Sequence, residues 1–237
     1  MIAYTHGPQM LDHPGTRLGR IDGNPFHEAV SEAARRAGLR FIANVVQDDG
    51  KRVVFVAAGE PEATFEELVA FAKTIYEVPV PRQYDVAVGG VGFPKDANLY
   101  QASRAASYLF FAPTPVVKPG GVIIVPAPCG EGAGEGIGEQ RFLKAMQDAP
   151  DVHTILDDAR RDGYPPGQQR AFVMAKVLEN NDVIIVGAED PDLIRSAKFQ
   201  AAPTMEAAFS LAGAALGPDL DAVIVPHAVL TLPIVES

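Results

Sequence analysis

Four short apolar runs at residues 85–88, 121–125, 182–186 and 222–225 recur along the later part of the chain, separated by helical patterns at 98–111, 139–149, 168–179 and 205–215. Runs of this length are too short for core helices and suit buried strands. Strands joined through helices are parallel, because a parallel pair needs a crossover, and a sheet so connected is covered on both faces. Just upstream, Val78-Pro79-Val80-Pro81 is stiff and extended, since proline fixes its own φ and drives the preceding residue out of the helical region. A boundary is placed there, giving a segment 1–81 and a Rossmann-like domain 82–237.

The earlier segment reads differently. Asn24 is positioned to cap a helix, Pro25 is pre-set for its first position, and the apolar spacing runs to Gly38. Residues 39–46 and 52–58 then form a hairpin pattern around Asp49-Gly50. From Thr64 a second helix places Phe65, Leu68, Phe71 and Ala72 on one face. The whole is predicted to be α/β: a mostly parallel, Rossmann-like sheet flanked by helices and preceded by a small α-β-β-α segment.

Charge narrows the function. Twenty Lys plus Arg against thirty Asp plus Glu leave a formal charge of −10, which repels nucleic acid and anionic membrane surfaces. No apolar stretch approaches the roughly 20 residues needed to cross a bilayer. The single cysteine, Cys129, has no partner for an internal disulfide, and the N-terminus carries no secretory pattern. The expectation is a cytoplasmic protein with no nucleic-acid or membrane partner.

Ligands of open parallel sheets bind beyond the carboxyl ends of the strands, so the segment Gly89-Gly90-Val91-Gly92 after the first apolar run is the first place to look. It matches neither a dinucleotide fingerprint nor a P-loop, and a tight strand-to-helix connection explains its glycines equally well. Within the next helix Tyr100, Gln101 and Arg104 lie about one turn apart, bringing a phenol, an amide and a guanidinium within reach of one anionic ligand. The alternative is a packed Tyr100 with Gln101 and Arg104 solvated. Residues 130–138 alternate glycine with other residues and carry Glu131 and Glu135, suiting a flexible lid or a plain surface connection. Cys129 is expected to be a small packed residue. The five histidines show no metal-binding spacing.

The string Gly92-Phe93-Pro94-Lys95-Asp96-Ala97-Asn98-Leu99-Tyr100-Gln101, followed by Val117-Lys118-Pro119-Gly120-Gly121, resembles the C-terminal half of the nickel-dependent lactate racemase family. Gly23-Asn24-Pro25-Phe26-His27-Glu28 is similar to that family's inter-half region, and Gly167-Gln168-Gln169-Arg170 to a later segment. The resemblance implies a 2-hydroxy acid racemase or epimerase working with a nickel pincer nucleotide. It implies cofactor- or substrate-binding roles for Lys95, Asn98, Tyr100, Gln101, Arg104 and Arg170, and metal ligation by His6, with Arg104 standing where the family is expected to carry lysine. The family's tethering lysine and paired catalytic histidines have no counterpart here, which implies either a portion of a longer chain or a partner in a separate N-terminal half, and no activity without that half. A stand-alone, non-catalytic module for a small anionic ligand is the alternative.

Overall fold

The computed structural model describes residues 2–236. Two short helices, α1 (Ile2–Thr5) and α2 (Pro8–Asp12), lead through an irregular stretch to α3 (Pro25–Arg36). Helix α3 starts as its sequence dictates: the Asn24 side chain accepts from the Phe26 N–H at 3.1 Å and Pro25 occupies the first turn. Strands β1 (Ile42–Gln47) and β2 (Val53–Gly59) pair antiparallel. Helix α4 (Pro61–Tyr76) covers one face of this hairpin through Val46, Ala57 and Leu68, and Val45, Val54 and Val56 on the hairpin stay exposed. Helix α4 begins three residues before the expected Thr64, because Glu60 caps it from the Ala63 N–H.

Beyond β3 (Glu77–Val80) come β4 (Tyr84–Gly89), a 3-10 turn at Lys95–Ala97, α5 (Leu99–Ala102), α6 (Arg104–Phe110), β5 (Val117–Pro126), α7 (Ile137–Asp148), α8 (Val152–Asp162) and α9 (Gln169–Asn180). The chain ends with β6 (Asp182–Val186), α10 (Pro191–Ser196), β7 (Gln200–Ala202), α11 (Met205–Leu216), β8 (Ala222–Val225) and β9 (Leu232–Val235). Five strands form one sheet in the order β7-β6-β5-β4-β8, every neighbour parallel. The four expected strands lie in it, and β7 adds a short fifth. Strand β9 returns to pair with β3 in a separate two-stranded parallel ribbon.

The sheet is sandwiched. On one face Ala87, Ile123, Val125, Val183 and Ile185 pack against α5, α6, α7 and α9; on the other Val86, Val88, Ile124 and Ile184 pack against α11. Successive residues alternate between the two cores, as the pleat requires. Asn181 holds the start of this arrangement, its amide donating to the Lys118 and Gly121 carbonyls at 2.8 and 3.1 Å.

Candidate functional site

The carboxyl ends of β4 and β8, where the sheet order reverses, are filled by the chain itself. Gly90 N–H donates to the Val225 carbonyl at 3.0 Å and the Gly90 carbonyl accepts from Ala228 N–H at 2.9 Å. A Cβ on Gly90 would stand 2.2 Å from the Pro226 oxygen, so glycine is required for this close approach. Gly89 and Gly90 thus form a tight, packed connection, in line with the second of the two readings of these glycines, whereas Gly92 is exposed with open space around it. The 130–138 stretch is also tied down: Cys129 and Glu131 N–H donate to the Asp96 and Ala97 carbonyls, and Leu99 N–H donates to the Gly132 carbonyl.

A cavity of about 690 Å³ lies elsewhere, between the N-terminal segment and the sheet domain. Helix α3 and the start of α4 form an apolar wall with Phe26, Val30, Pro61 and Phe65. The opposite wall comes from α6 and α9, with Arg104, Ser107, Tyr108, Phe111 and Arg170, and the segment before α3 supplies His6 and Arg17.

Arg104 and Arg170 sit about one ring, their guanidinium carbons 5.9 and 5.6 Å from the Tyr100 centroid. Gln101 accepts from Arg104 Nε at 2.8 Å, and Ser107 Oγ accepts from Arg170 Nη1 at 2.9 Å. Arg170 is packed deep in the protein yet touches the cavity; burial, and then the charge of Arg104, push its pKa down to about 10. It stays charged at neutral pH. Arg17 lies 5.6 Å over the Phe111 ring, its pKa lowered by burial, with Nη1 buried and unpartnered among the described residues. Arg17, Arg104 and Arg170, like the more exposed Arg20 of the same lining, pair with no carboxylate among the described residues, whereas Arg35 on the opposite side of the cavity pairs with Glu32 and Glu62.

His6 faces the same cavity, with its ring edge-on to Phe26 at 5.3 Å. Its Nδ1 is 3.1 Å from Thr5 Oγ1 and its carbonyl accepts from the Tyr164 hydroxyl, leaving Nε2 without a partner among the described residues. No group of three or more His, Cys, Asp or Glu placed to hold a metal occurs among the described residues.

Of the residues singled out in the sequence, His6, Arg104 and Arg170 therefore meet at one cavity, with Tyr100 and Gln101 bracing the arginines from behind. Asn98 and Lys95 stand apart. Asn98 is the N-cap of α5, its Oδ1 accepting from Gln101 N–H at 3.0 Å and its Nδ2 donating to Glu131 at 3.2 Å. Lys95 is in the 3-10 turn, away from the cavity lining. Arg17 and Tyr108 were not legible: Arg17 lies in an aperiodic stretch, and Tyr108 reads as one more core-facing helix residue.

The parallel α/β domain thus bears a cavity where an apolar wall faces arginines that no carboxylate balances among the described residues. Its family follows from comparison. The model of the lactate racemase C-terminal domain matches residues 81–232, and the chain belongs to the lactate racemase family. The lactate racemase of Lactiplantibacillus plantarum is 32% identical over 230 residues, covering 95% of this chain and 52% of that protein. That of Thermoanaerobacterium thermosaccharolyticum is 33% identical over 185 residues, covering 78% and 42% respectively. The structure of the latter's apoprotein superposes with a TM-score of 0.87 at 26% identity, covering 98% of this chain and 55% of the other. The chain thus spans about half the length of these relatives. No helix among the described residues is long and apolar enough to cross a membrane.

Proposed function

We propose that this chain supplies the C-terminal part of a 2-hydroxy acid racemase or epimerase, in which Arg104 and Arg170 bind the acid group and His6 helps hold a nickel pincer nucleotide. The observation that carries this reading is the convergence of Arg17, Arg104 and Arg170, none ion-paired among the described residues, and the His6 imidazole on one cavity of a lactate racemase family chain. Guanidinium suits a carboxylate because its planar fork donates two parallel hydrogen bonds, and a low-dielectric wall strengthens them. The residues suit the cofactor as well: a neutral imidazole nitrogen ligates nickel, and the arginines suit an anionic group. When bound, the pincer nucleotide supplies a hydride acceptor for the α-carbon.

The chain's own contribution is binding and orientation. Gln101 fixes Arg104 through Nε and Ser107 fixes Arg170 through Nη1, so each guanidinium presents its remaining N–H groups in a set direction. Phe26, Val30 and Phe65 give the opposite side an apolar surface. No general base in this chain is assigned, and the proton transfers at the hydroxyl are attributed to the partner half.

The test is racemisation of a panel of 2-hydroxy acids by the purified chain, with and without the pincer nucleotide and with an N-terminal half taken from a relative. Activity is expected only when both are added. Turnover by the chain alone would overturn the division of labour, and no turnover in any combination would favour a stand-alone anion-binding module.

A further inference from the structure

An enzyme that takes a monocarboxylate needs one bidentate cation for it, yet Arg17, Arg104 and Arg170 all face this cavity with no carboxylate partner among the described residues, while the two glutamates of the lining are engaged elsewhere, Glu62 with Arg35 and Glu60 in capping α4. Leaving such charges together is costly. Arg104 and Arg170 flank the same Tyr100 ring and repel each other, and Arg17 leaves a buried Nη1 with no acceptor, an omission that costs stability unless something else fills it. In a chain with thirty acidic residues, a carboxylate could have been placed beside any of them. The cluster also divides in space. Arg104 and Arg170 gather at Tyr100, near the start of α6 and α9, while Arg17 lies over Phe111 just past the end of α6. These are two cationic positions in one cavity.

We propose that the cavity is a two-anion site, in which Arg104 and Arg170 grip one acid group and Arg17 accepts a second, separate one. The second group belongs either to the substrate itself, a 2-hydroxy dicarboxylic acid, or to a phosphate carried by a cofactor bound beside a monoacid. The inference rests on the racemase reading for the hydroxyl, but its test reads binding and not turnover, so the two fail separately. Arg17 is the new assignment. It is a binding residue that recognises the far end of the ligand.

Binding to the purified full chain is measured by calorimetry with malate, with 2-hydroxybutyrate as a monoacid of the same carbon number, and with inorganic phosphate. A dicarboxylate substrate predicts that malate binds at least about tenfold more tightly than 2-hydroxybutyrate, since a charge-assisted hydrogen-bonded contact is worth a factor of this order. Phosphate then competes with malate, and Arg17→Gln removes the advantage of malate while leaving the affinity for 2-hydroxybutyrate within about twofold. A cofactor phosphate predicts instead that phosphate and 2-hydroxybutyrate bind together and that Arg17→Gln abolishes phosphate binding alone. Should Arg17→Gln fail to fold, the unsubstituted chain still decides: affinity for a doubly held dianion falls more steeply with ionic strength than that for the monoacid. Equal affinities for malate and 2-hydroxybutyrate with no phosphate binding, or an Arg17→Gln chain indistinguishable from the parent, would overturn the proposal.

Discussion

Asn98 stands inside the most specific string of the sequence, and its side chain is consumed by the fold. It caps α5 through Oδ1 and secures Glu131 through Nδ2. Asn98→Ala is expected to lower the free energy of unfolding by about 1 kcal/mol, the usual cost of a lost cap, in urea titrations, with the aspartate variant retaining the cap but adding repulsion against Glu131. A residue can thus belong to a recognisable motif because the backbone needs it. Cys129 makes the same point from the opposite side. Only 3% exposed, its thiol is raised to about 12 by burial and then by the nearby Asp96 charge, so it is expected to resist alkylation at pH 8 in the native chain and react fully once unfolded. Its packed character could be read from the sequence. Arg17 could not, because no periodicity or motif marks a residue whose meaning comes only from where α6 and α9 stand.

Among the elements, the strands and most helices were legible because their apolar spacing matches the surfaces they bury, as in 182–186 and 205–215. Helix α8 was missed, although Asp151 caps it through the Thr154 N–H and Ile155, Leu156 and Ala159 face the core. Its three buried positions sit among so many charges that composition resembled a loop. The single helix expected over 98–111 is divided at Ser103, whose hydroxyl donates to the Tyr100 carbonyl at 2.8 Å. In the hairpin turn the left-handed position is taken by Lys51, φ 60°, and not by Gly50, because Asp48 accepts the Arg52 N–H and pins the loop. The elements at the N-terminus are held to α8 and α9 by Asp12, which accepts from Arg160 Nε at 2.9 Å and Lys176 Nζ at 2.6 Å. Burial raises the Asp12 pKa, but the bonds and charges of Arg160 and Lys176 outweigh it and leave it lowered from 3.8. A carboxylate depressed on folding contributes stability above its unfolded pKa and loses it as pH falls through the folded value. Asp12→Asn is therefore expected to cost about 1 kcal/mol at pH 7, as befits a partly exposed cluster, and to lose its effect progressively in unfolding curves taken as the pH falls below the ordinary aspartate range and through the depressed folded value.

At the scale of the whole molecule, the cavity exists because a segment with few regular elements is laid across the sheet domain and fastened there. Leu18 N–H donates to the Phe111 carbonyl at 3.0 Å, and Gly19 follows with φ 69°. A Cβ at Gly19 would stand 2.6 Å from Leu232 Cδ2, so the segment carrying Arg17 crosses directly over β9, whose pairing with β3 joins residues 77–80 to the end of the chain. Gly19→Ala faces two costs: the left-handed backbone, about 1–2 kcal/mol for a residue with a Cβ, and the contact with Leu232. A flexible side-chain tip can withdraw, whereas the backbone conformation is imposed by the bonds on either side. The double variant Gly19→Ala, Leu232→Ala separates the two. If the strain is in the backbone, the substitutions are additive in denaturant unfolding to within about 0.5 kcal/mol; if the contact dominates, removing the leucine side chain recovers most of the loss caused by the alanine. The backbone account further requires that Gly19→Ala weaken anion binding at Arg17 even in the double variant, since the displaced element is the one that carries the guanidinium to the cavity.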